Sequence, residues 1–159
     1  MFKRWTGSGY RDIRRAQNGS GATVYAPQEE VLEYANALED YIEANEKISS
    51  TVMTYRGVTL PTTLASQLQK GGTFDVGYSA LSSWTTDKAV AANFAGTSGY
   101  GDTAVVFACK GQSRGVDISA YSYMPEEKEV LVSSKSNSYT ITSVKKQRNG
   151  SLYVTVKET

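Results

Sequence analysis

The chain has 159 residues, enough for one domain with a sizeable core and too few for two ordinary ones. It has no histidine and a single cysteine, Cys109, which excludes Ser-His-Asp and Cys-His nucleophile systems, His-ligated zinc, multi-Cys metal centres and an intramolecular disulfide. Its 17 basic residues nearly balance 16 acidic ones, so net charge gives no pull toward nucleic acid or an anionic membrane, and any catalysis falls to carboxylates, hydroxyls, Arg or Lys.

Locally the charge is uneven. Residues 1–18 carry Lys3, Arg4, Arg11, Arg14 and Arg15 against Asp12 alone, a segment suited to an anionic ligand. A short helix is expected from Thr6, capped by Thr6 or Ser8 and stopped by Gly19, with a loop over residues 18–23. Pro27 then opens the strongest helical pattern, with Val31, Ala35, Leu38 and Ile42 on one face. Glu33, Glu39, Asp40, Glu43 and Glu46 lie largely off that face, as a solvated surface would. No stretch approaches the roughly 20 apolar residues of a membrane span, and no signal-type apolar run follows the N-terminus, so a soluble, unexported protein is expected.

Beyond residue 50 the pattern turns to strands. These are expected at Thr51–Val58, Ala80–Ser83, Ala104–Cys109, Lys128–Ser133, Tyr139–Val144 and Leu152–Val156, with small helices near Leu64–Gln69 and Asp87–Phe94. The unbroken apolar run Ala104–Cys109 implies a central strand buried on both faces. Helices first, then strands close enough in sequence to pair antiparallel, make an α+β domain spanning 1–159.

Three segments carry potential chemistry. In Pro125–Val132 a period of two puts Glu127, Glu129 and Leu131 on one strand face and Lys128, Val130 and Val132 on the other. Two carboxylates so placed can divide base and electrostatic roles, though a charged strand start is also simply soluble. In Thr54-Tyr55-Arg56-Gly57, an arginine inside an apolar strand calls for an anionic partner, and the glycine beside it lets a ligand approach the backbone. In Ser82-Ser83-Trp84-Thr85-Thr86-Asp87, hydroxyls end a strand, with Thr86 or Asp87 placed to cap the next helix.

Arg in one strand, Ser-x-Thr in a second and Glu-x-Glu at a later one, in that order, resembles the Arg-Ser-Glu class of mono-ADP-ribosyltransferases, which includes clostridial-type toxins and phage enzymes. Trp5-Thr6-Gly7, Phe94-Ala95-Gly96 and Gly115-Val116-Asp117 leading into Glu127-Lys128-Glu129 extend the likeness over roughly residues 5–156. The resemblance implies an ADP-ribosyltransferase fold of two packed, mostly antiparallel sheets, with N-terminal helices flanking an NAD cleft.

It further implies that Arg56 holds the phosphate or ribose region of NAD and that the Gly57 backbone meets the nicotinamide amide. Ser83, or in an alternative register Ser82, orients Glu129, which binds the nicotinamide ribose and stabilises oxocarbenium-like charge. Phe94 packs on nicotinamide, and Arg11, Arg14 or Arg15 meets the phosphates, since the loop after Phe94 lacks an arginine. Glu127 positions and deprotonates the acceptor. Glu at this position is associated with arginine acceptors in that class.

The expectation is thus a metal-free transferase that uses NAD as substrate and modifies arginine on a host protein. A monomer in host cytoplasm is expected, with residues 121–124 meeting the acceptor. Competing readings are a non-catalytic NAD-binding module, an NAD glycohydrolase and a nucleic-acid acceptor.

Overall fold

In the computed structural model, residues 28–159 are described. The helix expected from Thr6, the loop at 18–23, Pro27 and the cations Arg11, Arg14 and Arg15 lie outside the described residues.

Helix α1, Gln28–Ala44, buries Val31, Ala35, Leu38 and Ile42, the four positions that its periodicity aligns. They pack on Leu81, Val116, Ile118 and Leu131. Most of the acidic face is exposed, with one departure from the expected solvated surface. Glu39 is half-buried. One of its carboxylate oxygens accepts from the Ser133 hydroxyl at 2.6 Å, and the other accepts from the Ser134 N–H at 2.9 Å and its hydroxyl at 2.6 Å. That acid therefore pins the loop after residue 132 to the helix.

The strands are β1 (Met53–Pro61), β2 (Thr73–Phe74), β3 (Ser82–Thr85), β4 (Asp102–Lys110), β5 (Gly115–Asp117), β6 (Glu129–Val132), β7 (Tyr139–Lys146) and β8 (Leu152–Glu158). Short helices α2 (Thr62–Ala65) and α3 (Lys88–Ala95) follow β1 and β3. Of the segment expected to be helical at 64–69, only Leu64 and Ala65 are, as the end of α2, which starts two residues earlier. The strand expected at Ala80–Ser83 starts two residues later, because Tyr78 and Ser79 adopt left-handed backbone in the turn before it. The two-residue β2 and three-residue β5 are too short to leave a periodic signal.

One sheet runs β2-β7-β8-β4-β1-β3-β6-β5, antiparallel except where β8 lies parallel to β4. The two packed, mostly antiparallel sheets implied by the resemblance are continuous with one another through the Tyr55–Thr85 pairing of β1 with β3. The sheet nevertheless folds over itself. Trp84 on β3 and Tyr139 on β7 are four strand steps apart, about 19 Å in a flat sheet at standard spacing, yet their ring centroids lie 5.6 Å apart. Both rings belong to a core that also takes Phe107, Val130, Val132, Val154 and Val156. β4 is central as expected, with Val105, Phe107 and Cys109 facing this core and Ala104 and Val106 facing α3.

Candidate active site

Antiparallel register builds the site. Thr85 on β3 lies opposite Glu129 on β6, and Ser83 lies opposite Leu131. Ser83 is therefore a diagonal neighbour of Glu129 on one sheet face, within reach of a short side chain. Its hydroxyl donates to Glu129 Oε2 at 2.6 Å, the length of a charge-assisted bond. Trp84 and Val130 alternate onto the opposite face and enter the core. On the site face, α1 covers Leu81 and Leu131 while α3 covers the Ala104 and Val106 patch. The polar strip of Ser83, Thr85 and Glu129 falls between the two helices.

The two candidate serines have different surroundings. Ser82 is buried, and its oxygen accepts from Trp84 Nε1 at 3.0 Å. Ser83 alone of the pair meets Glu129 in the described hydrogen bonds. Trp84 thus belongs to the core, which explains how a bulky residue is accommodated between Ser83 and Thr85.

Arg56 completes the group from β1. Its Nε donates to the Val76 carbonyl at 3.2 Å and its Nη1 to the Ser83 carbonyl at 3.0 Å. Ser83 therefore holds Arg56 through its backbone and Glu129 through its side chain. Neutral carbonyls fix these two donors of a group whose sequence setting called for an anion, and a guanidinium has five N–H donors in all.

Besides the expected ligand approach, Gly57 has a structural reason of its own. A Cβ there would lie 1.7 Å from the Ala91 carbonyl oxygen and 2.8 Å from Ala95 N. Glycine lets the α3 backbone press against the strand. Along β1, pairing with β3 involves only Tyr55, while Gly57 pairs with Val106 of β4. Among the described residues, the β3-side edge at Gly57 has no strand partner. Phe94, near the end of α3, is 63% exposed.

The expected continuous strand through Glu127 is corrected by the structure. Pro125–Glu127 form a 3-10 turn, and Lys128 has φ +50°. Pro125 favours the turn start, and the left-handed residue breaks the period of two before β6 begins at Glu129. Glu127 is therefore presented by a turn and Glu129 by a strand. The Glu127 carboxyl titrates above the usual 4.5, first because burial disfavours its charge and second because Glu126 repels it. Glu129 is buried. Two carboxylates two residues apart thus occupy different environments, the condition for dividing their roles.

Sequence reasoning named Thr85 and Asp87 but missed that they brace this turn. Thr85 Oγ1 donates to the Glu127 carbonyl at 2.7 Å and accepts from Asp87 N–H at 3.0 Å. The Thr86 N–H donates to the Lys128 carbonyl at 3.3 Å, and Lys128 Nζ lies 3.9 Å from Asp87 Oδ2. Asp87 also caps α3, accepting from Ala89 N–H at 3.0 Å, one of the two caps the sequence offered. A hydroxyl two residues beyond Ser83, followed by an N-cap acid, was the available signal.

A family model described as ADP-ribosyltransferase exoenzyme matches residues 1–159. No curated protein sequence matches the chain. Among solved structures, Vis toxin, an ADP-ribosyltransferase from Vibrio splendidus, is similar at 21% identity and TM-score 0.78, covering 99% of this chain and 70% of that one. A second Vis structure, at 20% identity and TM-score 0.79, is in complex with agmatine and covers 99% and 72%. Exoenzyme S from Pseudomonas aeruginosa, in complex with human 14-3-3 protein beta and bound to carba-NAD, matches at 18% identity and TM-score 0.71 over 97% and 69%.

Proposed function

The chain belongs to the ADP-ribosyltransferase exoenzyme family, and we propose that it transfers ADP-ribose from NAD to an arginine side chain of a target protein. One observation carries this reading. Ser83 links Arg56 to Glu129 through two hydrogen bonds, with Glu127 on the adjoining turn.

In the reaction, the bond between nicotinamide and ribose C1′ breaks, nicotinamide leaves, and a guanidine nitrogen of the acceptor bonds to C1′ while losing a proton. Glu129, fixed by Ser83, sits where developing positive charge on the ribose needs a carboxylate held in advance, which costs no reorganisation as the bond breaks. Arg56 and the Gly57 edge receive NAD, and the exposed Phe94 ring covers the nicotinamide.

Glu127 faces the acceptor. A guanidinium is charged at physiological pH and a poor nucleophile, so its acceptor site needs a carboxylate that binds the N–H fork and takes a proton. Agmatine, present in one of the similar Vis structures, is itself a guanidine, which supports an arginine-like acceptor.

The test measures nicotinamide release and transfer to agmatine in parallel. Glu127→Gln is expected to lose transfer while continuing to hydrolyse NAD. Equal loss of both in a folded variant refutes the division of labour, and a wild-type enzyme that releases nicotinamide but modifies no guanidine refutes the arginine acceptor.

A further inference from the structure

We propose that Thr85 is a positioning residue for Glu127, clamping the acceptor-side turn to the start of the helix that carries Phe94. The inference rests on the acceptor role of Glu127 given above and assigns a residue that sets it.

Thr85 is 4% exposed, and both capacities of its hydroxyl are engaged, the first of them across 42 residues of sequence. The proton goes to the Glu127 carbonyl at 2.7 Å, and the oxygen accepts from Asp87 N–H at 3.0 Å. The first bond fixes the backbone of the residue whose side chain must meet the acceptor. The second fixes the N-cap of α3. A hydroxyl serves both from a single atom, because it is donor and acceptor at once.

The turn needs such a clamp. Lys128 holds left-handed backbone at φ +50° between the two glutamates, a conformation that costs a non-glycine residue free energy and persists only where surrounding contacts enforce it. The Thr86–Lys128 backbone bond and the exposed Lys128–Asp87 ion pair close the same joint from its other side. Exposed ion pairs contribute little, so the enclosed Thr85 hydroxyl is the principal side-chain tie. Without it, Glu127 loses its fixed position while Glu129, held separately by Ser83, retains its own. Acceptor transfer and nicotinamide release therefore separate.

The test compares Thr85→Val, which keeps shape and removes the hydroxyl, with Thr85→Ser, which restores it. Nicotinamide release, agmatine transfer, the kcat and KM for agmatine, and thermal stability are measured together. Thr85→Val is expected to lower transfer by up to about 100-fold, the scale of an ångström-sized misplacement, with a smaller fall in nicotinamide release, and Thr85→Ser to recover transfer. Unchanged transfer in Thr85→Val, or a parallel loss of both activities that serine does not rescue, overturns the proposal.

The titration of the Glu127 carboxyl, followed by carbon NMR, separates this from failure of the arginine reading. If wild type modifies no guanidine, a Glu127 titration that moves in Thr85→Val and returns in Thr85→Ser still supports the clamp. A titration unmoved in both overturns it.

Discussion

Replacing Gly57 with alanine tests the packing of α3, the helix that carries Phe94, against the sheet. The added Cβ would stand 1.7 Å from the Ala91 carbonyl oxygen, whereas ordinary contact begins at 3.4 Å. Helix α3 must therefore retreat by about 1.7 Å, or β1 must bend by as much. Neither motion is free. The three obstructing atoms, Ala91 O and C and Ala95 N, are all backbone, so no side-chain rotation relieves them, and α3 is tied at its N-terminus to Thr85 and Lys128 through Asp87.

Overpacking of this kind costs about 1–3 kcal/mol and occasionally more. A rigid backbone obstacle places Gly57→Ala at the upper end, roughly 3 kcal/mol. For a domain of this size that lowers Tm by about 6–12 °C. Because α3 carries Phe94, the KM for NAD should rise as well. Thermal unfolding followed by circular dichroism, with NAD saturation measured below the transition, reads both effects. A variant with wild-type Tm and unchanged KM would refute the packing argument.

Other outcomes follow from two titrating groups. Glu127 must be ionised to accept a proton, so the acid limb of agmatine transfer should lie above pH 4.5, and Glu126→Gln should move it down by removing one of the two causes that raise this carboxyl. A limb that stays in place contradicts that assignment. The same shift sets a stability trend: the Glu127 penalty is absent below 4.5, where folded and unfolded chains are both protonated, and grows with pH until it is complete above the folded value. Burial first, then the charge of Glu158, pushes the Cys109 thiol up to about 12. The native protein should therefore resist thiol reagents at about pH 8 and react once unfolded, and stoichiometric labelling of the native state would contradict the burial.

The legible parts of the molecule are those where one local pattern decides the structure. The α1 stripe, the apolar run of β4 and the Leu152, Val154, Val156 alternation of β8 each declare the face they bury. The Ser83–Glu129 contact was available through the ordered resemblance, and the antiparallel register gives it a geometric cause. What escaped was decided by groups distant in sequence. Nothing near Gly57 announces that the Ala91 backbone needs its Cβ space. Nothing near Glu39 announces Ser133 and Ser134, which lie 94 and 95 residues further along the chain.

The Glu127 turn failed for a different reason. A period of two assumes extended backbone throughout, and a 3-10 turn followed by one left-handed residue cancels it without changing the residue pattern. Joining of the sheet through Tyr55 and Thr85 is likewise a matter of twist and long-range packing.

The central claim is that Glu129, held by Ser83, stabilises the bond-breaking step. Nicotinamide release from NAD, measured for wild type, Glu129→Gln and the exposed-position control Glu43→Gln, tests it most directly. Glutamine preserves size and an acceptor for the Ser83 hydroxyl while removing the charge. The account predicts that folded Glu129→Gln loses release and transfer together by about 10²–10³-fold, with Glu43→Gln behaving as wild type. A folded Glu129→Gln enzyme that releases nicotinamide at the wild-type rate would contradict it.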